Sequence, residues 1–328
     1  MDNSSFATPA VPYSSRPPSP PSITIPAPAL SSNSGPIKVV PSYANVDPCD
    51  LTPEALAIIT SGMREQTAKD STGSWSYSER RNAQPILDFI YLGPSNVARD
   101  RDWLRANGIT MLLAVRDMRM VQARLLFVDA VAQELGIQAE HIDADGHAGM
   151  IQALPEAVRK INNHLLQVYH SQAVSAPATA DGQATTTTAA PAEEGSMLIN
   201  KQEFKRGKVL VFCETGNDRS PVVVIAYMMA VLGMSMVQAC QFIHYRRFCV
   251  SLTEEVKFLL QTYEGILEAR RTVNQHAANT VAATPSTGGA PKGKRDADEM
   301  NQDEEDSDAQ PRPGLAPFVD AKDTEMDL

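Results

Sequence analysis

Val209-Leu210-Val211-Phe212-Cys213-Glu214-Thr215-Gly216-Asn217-Asp218-Arg219-Ser220 decides how this chain folds. Its first five residues are apolar, three of them aromatic or β-branched, which is the pattern of a short buried strand. A polar turn follows. The apolar run then resumes and predicts a helix over 220–232, with Pro221 in the first turn, where a missing N–H costs nothing. Strand, tight loop and helix start therefore meet between Cys213 and Arg219. Such a loop turns successive backbone N–H groups inward, and the helix dipole adds partial positive charge. It forms a cradle for a phosphate. The same field favours a thiolate over a thiol, so Cys213 is a candidate nucleophile at neutral pH. Arg219 closes the cradle with a planar fork suited to two phosphate oxygens. Ser220 is placed to hydrogen-bond the sulfur when it leaves.

Around this loop, residues 84–271 resemble the small dual-specificity branch of the cysteine-dependent protein phosphatases, with an insertion at 171–203. The family consensus is His-Cys-x-x-Gly-x-x-Arg-Ser before an apolar helix. Cys213, Gly216, Arg219 and Ser220 match it, and Val222-Val223-Val224-Ile225-Ala226-Tyr227-Met228-Met229 resembles the family helix. The resemblance implies an α/β cysteine-phosphatase fold, with a central, mostly parallel sheet flanked by helices. It implies hydrolysis of phosphotyrosine and/or phosphoserine/threonine through a phosphocysteine, with neither cofactor nor metal. Cys213, Arg219 and Ser220 would be catalytic, and Glu214, Thr215, Gly216, Asn217, Asp218 and Arg219 would hold the phosphate. The family's general acid is an aspartate on an upstream loop between a strand and a helix. Ile142-Asp143-Ala144-Asp145-Gly146 stands there, with Asp145 the better match and Asp143 the alternative.

Leu92-Gly93-Pro94, Gly108-Ile109-Thr110 and Arg246-Arg247-Phe248-Cys249-Val250 resemble the serine/threonine/tyrosine-interacting pseudophosphatase subgroup. That subgroup binds phosphoproteins without turnover, but it lacks the nucleophile that Cys213 supplies here. Five residues depart from the active pattern. Phe212 replaces the family histidine and is expected to lower polarity beside the sulfur, disfavouring the thiolate and displacing the pH optimum upward. Glu214 and Asp218 put two acids in an anion-binding loop, either on a solvated rim or facing the phosphate. Leu252-Thr253 replaces the usual Pro-Asn, which braces the cradle. Weak activity is therefore expected. The alternative is a phosphoprotein-binding regulator or scaffold in kinase signalling. Phosphoproteins are the expected partners, with protein kinases as further candidates; the oligomeric state is left open.

Composition places the acidity at one end. The 328-residue chain carries a net charge of −10. Residues 292–328 hold 12 acids and 5 bases, a net of −7, which leaves the rest only slightly acidic. No basic nucleic-acid surface is expected. No apolar run is long enough to span a bilayer, so no membrane association is expected. Cys49, Cys213, Cys240 and Cys249 show neither metal spacing nor a disulfide framework. A reducing compartment, cytoplasmic and/or nuclear, is expected, and Lys292-Gly293-Lys294-Arg295 reads equally as an import signal or a solvated patch.

The segments outside 84–271 are expected to contribute little to the core. Residues 1–50 are Pro/Ser-rich and read as a disordered tail, with Ser19-Pro20 resembling a proline-directed kinase site. Residues 51–83 read as a docking helix and linker. Thr52 and Pro53 form its helix start, and Leu56, Ile59 and Met63 lie at helical spacing to about Gln66. Trp75, Tyr77 and Arg80-Arg81 are read as packing on the core or binding a partner. Residues 272–328 read as a disordered acidic tail. His141, His147 and His244 form no ligand set and read as ordinary polar residues.

Overall fold

The structure is a computed structural model that describes residues 22–26, 37–39, 51–62, 65–68, 75–120, 127–172, 174–175, 197–198 and 204–282. In chain order, β1 (Ile37–Val39) and β2 (Gln66–Ala68) form an antiparallel pair, with α1 (Pro53–Thr60) between them in sequence. The central sheet uses β3 (Gln84–Leu87), β4 (Ile90–Pro94), β5 (Met111–Asp117), β6 (Gln138–Ala144) and a strand late in the chain. A short antiparallel pair, β7 (Val174–Ser175) and β8 (Met197–Leu198), precedes that strand, β9 (Val209–Cys213). The helices are α2 (Arg101–Asn107), α3 (Phe127–Leu135), α4 (Gly146–His170), α5 (Arg219–Leu232), α6 (Met236–Arg246) and α7 (Glu254–Ala282).

The sheet order is β3-β4-β9-β5-β6, antiparallel only between β3 and β4. This is the mostly parallel α/β arrangement expected of the sequence. All five residues of β9 are buried because the strand is paired on both sides and covered on both faces. Alternation divides its side chains. Val209, Val211 and Cys213 enter the large core cluster, which includes Met150, Leu154 and Ile161 of α4 and most of α5. Leu210 and Phe212 enter a smaller cluster on the other face, with Leu104 of α2 and Val128 and Val131 of α3. The sequence α5 needs is apolar nearly all round, since all but two of its residues are buried. Each fully buried Leu, Ile or Val here stabilises the fold by about 1.5–3 kcal/mol.

Several boundaries differ from the sequence reading. Residues 97–107 hold a 3-10 turn, Val97–Arg99, followed by α2. Asp100 separates them because its carboxylate accepts the Trp103 N–H at 3.0 Å and caps α2. α1 packs against α4 but stops at Thr60, because Ser61 and Gly62 take positive φ. Gln66 thus belongs to β2 rather than to the helix, and Met63 lies outside the described residues. α7 runs to Ala282, past the expected end at Arg271. Its apolar spacing fades after Leu267, but no Gly or Pro breaks the chain between 272 and 282, so the backbone continues. The two terminal segments expected to be unpacked are therefore structured at 22–26, 37–39 and 272–282. The remaining tail residues, Ser19 and Lys292 among them, lie outside the described residues. Among the described residues, no helix is long and apolar enough to cross a membrane.

The insertion is closed at its neck. β7 pairs with β8, and Gln172 both accepts the Lys205 N–H and donates to the Lys205 carbonyl, each at 2.8 Å. Residues 176–196 lie outside the described residues. Replacing 176–196 with a short Gly-Ser turn is expected to leave the melting temperature within about 2 °C of wild type, since loop length changes closure entropy only weakly. Thermal unfolding followed by circular dichroism checks this, and a larger fall would mean that the segment packs on the core.

Candidate active site

The site lies at the carboxyl end of the parallel strands, where β9 passes into α5. Loop 214–218 folds back beneath the Cys213 sulfur. The Gly216 N–H donates to Sγ at 3.2 Å, and the Ser220 hydroxyl donates to it at the same distance. Cys213 is only 1% exposed, and burial alone pushes its thiol up. The Ser220 hydroxyl and the backbone N–H groups of Ser220, Asp218 and Arg219 outweigh that, so the thiol is held below its ordinary value. Gly216 is required here on two counts. Its φ is +74°, and a Cβ would sit 2.5 Å from the Gly93 carbonyl carbon.

Phe212 does not face this site. It lies on the opposite sheet face, buried against the smaller cluster. The expectation that its ring lowers polarity at the sulfur is therefore corrected, because strand alternation turns it away from Cys213.

Arg219 is positioned by a residue the sequence reading passed over. Its Nη2 donates to Asp117 Oδ2 at 2.9 Å, and the Arg119 N–H holds the other Asp117 oxygen at 3.0 Å. The Arg119 N–H, and behind it the Arg219 charge, hold Asp117 below the usual carboxylate value, so it stays ionised. Asp117 ends β5, whose register beside β9 brings it to the loop.

The rim residues divide. Glu214 and Asp218 are both exposed. Thr215 Oγ1 donates to Asp218 Oδ2 at 2.9 Å, which turns that carboxylate along the loop. Asp218 nonetheless lines the adjoining pocket, whereas Glu214 does not. For these two residues, then, it is the backbone rather than the side chain that suits a phosphate.

The loop is braced from outside by Arg247, which is 0% exposed. It donates to the carbonyls of Gly216 at 3.1 Å, Asn82 at 2.7 Å and Arg80 at 2.9 Å. It also donates to Asn217 Oδ1 at 3.0 Å and to Gln84 Oε1. The Ser251 N–H adds a bond to the Asn217 carbonyl at 2.9 Å. The Leu252-Thr253 departure therefore leaves the loop supported. Trp75 packs against Phe248 with ring centroids 5.5 Å apart, which ties the segment before β3 to the same brace. In the sequence, Arg247 enters only as part of the Arg246-Arg247-Phe248-Cys249-Val250 resemblance, with no role of its own. The available signal was its place just before Phe248-Cys249-Val250, after the last turn of α6.

Beside Arg219 opens a pocket of about 310 Å³ between the β6–α4 and α6–α7 connections. Met150, Val222, Val256 and Leu259 give it an apolar wall, and Asp117, His147, Ser251 and Thr253 give it polar points. His147, read from sequence as an ordinary polar residue, thus belongs to the pocket. Asp143 does not line it. Both its oxygens bind Arg116, at 2.7 and 2.8 Å, and these bonds hold it below the usual carboxylate value and make it a poor proton donor. Asp145 precedes α4 without capping it, and its side chain is exposed, 3.4 Å from Arg119 Nε. Its neighbours Ala144 and Gly146 line the pocket, but Asp145 itself does not. Among the described residues, no group of three or more His, Cys, Asp or Glu is placed to hold a metal ion.

Residues 135–266 match the family model for the dual specificity phosphatase catalytic domain. The serine/threonine/tyrosine-interacting protein of Homo sapiens is 26% identical over 208 residues, covering 62% of this chain and 74% of that protein. Protein phosphatase Slingshot of Drosophila melanogaster is 36% identical over 73 residues, covering 22% of this chain and 7% of that protein. The crystal structure of the human tyrosine phosphatase-like serine/threonine/tyrosine-interacting protein covers 57% of this chain and 97% of its own, at 26% identity and a TM-score of 0.40. With its cysteine–arginine loop, the chain is similar to the dual specificity phosphatase catalytic domain over residues 135–266 and to the serine/threonine/tyrosine-interacting protein over 208 residues.

Proposed function

We propose that the chain is a weakly active protein phosphatase of dual-specificity type, cleaving phosphotyrosine and/or phosphoserine/threonine through a phosphocysteine. The observation that carries this reading is the Cys213 sulfur, held below its ordinary pKa by Ser220 and the loop N–H groups with Arg219 alongside. Sγ attacks phosphorus as the bond to the leaving oxygen breaks, and that oxygen takes a proton from Asp145. Water then gives a proton to the Asp145 carboxylate and attacks phosphorus, and the S–P bond breaks to return the thiolate, received by the Ser220 hydroxyl. The loop N–H groups and the Arg219 fork stabilise the equatorial oxygens throughout. The apolar wall beside Arg219 suits an aromatic phosphoester. Substrates are phosphoproteins of the cytoplasm and/or nucleus, with protein kinases among the partners.

A second reading has its own support. Asp145 lies outside the pocket lining and beside Arg119, and a relative is named for interaction rather than turnover. On that reading the chain binds phosphoproteins as a regulator or scaffold in kinase signalling. Kinetics with leaving groups of different acidity separate the two. Asp145→Asn is expected to slow esters with poor leaving groups about 10²-fold or more, and those with good leaving groups far less. Equal slowing of both classes would remove Asp145 from the acid role, and no turnover by wild type would favour the binding module.

A further inference from the structure

Ser22-Ile23-Thr24-Ile25-Pro26 lies against α6 and α7. The Ile23 N–H donates to Glu254 Oε2 at 3.0 Å, and the Ile23 carbonyl accepts from Lys257 Nζ at 2.8 Å. The Pro26 carbonyl accepts from Gln241 Nε2 at 2.5 Å. Ile23 and Ile25 are half-buried against the main core, while Ser22, Thr24 and Pro26 are exposed. This is the period-two alternation of an extended peptide laid on a surface. These three polar contacts all go to the peptide's main chain, and the two isoleucines supply the sequence preference. Glu254 and Lys257 also bind each other at 2.7 Å, so the first turn of α7 presents an acceptor and a donor to a single residue of the peptide.

We propose that the surface formed by α6 and α7 is a docking channel for extended Ile-x-Ile segments, filled in the resting chain by its own residues 22–26 as a displaceable strap. The occupant is the same molecule because β1 (Ile37–Val39), the next described element of the chain, pairs with β2 (Gln66–Ala68), which packs on α6. Being held in the same chain gives the strap an effective concentration on the order of 1 mM, far above the chain's own solution concentration. A partner that displaces the strap must carry the same chemistry: alternate branched apolar residues in an extended segment. The inference is independent of whether Cys213 turns over phosphate.

The test uses the full chain and a fluorescein-labelled synthetic peptide of residues 20–28. Ile23→Asp/Ile25→Asp empties the channel without touching its walls. By fluorescence anisotropy this variant is expected to bind the peptide at least about tenfold more tightly than wild type, whose channel is occupied. Adding Gln241→Ala or Lys257→Ala is expected to weaken that binding again, and a peptide with both isoleucines changed to Asp is expected not to bind. No binding by the emptied channel, or equal binding by wild type, would overturn the proposal. So would light scattering that shows a wild-type dimer made monomeric by Ile23→Asp/Ile25→Asp, because the strap would then serve a second copy.

Discussion

Arg247→Met is expected to lower the unfolding free energy by about 3–5 kcal/mol and to weaken oxyanion binding with it. Methionine fills much of the same volume but donates nothing. The carbonyls of Gly216, Asn82 and Arg80 and the Asn217 side chain would each lose a donor, the Gly216 carbonyl in a fully buried contact and the others in partly buried ones. Each such loss costs about 1–3 kcal/mol, and those near the surface are partly repaired by water, so the sum stays below the full total. Two of the lost bonds fix the Gly216 and Asn217 segment of the phosphate loop, which couples stability to the site. Arg247→Lys is expected to recover only part, because a point ammonium cannot satisfy acceptors spread around a planar fork. Urea denaturation and vanadate titration check both effects. A loss below 1 kcal/mol with unchanged vanadate affinity would show that the loop holds its shape without the brace.

The second large effect concerns the sulfur. Cys213→Ser is expected to reduce aryl phosphate turnover by roughly 10³-fold or more, since a serine hydroxyl in this cradle has neither the thiolate's charge nor its nucleophilicity. Vanadate or phosphopeptide binding is expected to survive, because the N–H groups and Arg219 contact the oxygens. The Ser220 hydroxyl supports the thiolate, so Ser220→Ala is expected to raise the Cys213 pKa. A depressed thiol pKa means that wild type reacts with iodoacetamide at pH values below those of an ordinary thiol. The midpoint of that alkylation profile is expected to move upward in Ser220→Ala. An unmoved midpoint would assign the thiolate's support to the backbone alone.

Much of this architecture was legible because the decisive stretch is local. A β-branched run, a tight turn and an apolar helix follow one another from Val209 to Leu232, and each element agrees with the next. The expectation that put the Phe212 ring beside the sulfur failed because it set aside strand alternation, which turns Phe212 away from its neighbour Cys213. What escaped were contacts made across the fold. Asp117 reaches Arg219 only through the β5–β9 register, and Arg247 reaches the loop only because α6 ends against it. Neither is visible in spacing along the chain. The strap at 22–26 escaped for a different reason. Two isoleucines in a Pro/Ser-rich tail carry too little apolar area to predict order, and the channel that holds them is assembled from residues more than 200 positions away.

A phosphocysteine at Cys213 is most directly tested by rapid-quench mass spectrometry of wild type and Asp145→Asn with an aryl phosphate that has a good leaving group. The attack step then needs no acid, while hydrolysis of the intermediate still needs a base. A phosphoryl adduct on the peptide containing Cys213 is expected in both proteins, accumulating to a higher level in Asp145→Asn. Release of the phenol with no adduct on Cys213 in either protein, or no release while phosphopeptide binding persists, would contradict the covalent mechanism.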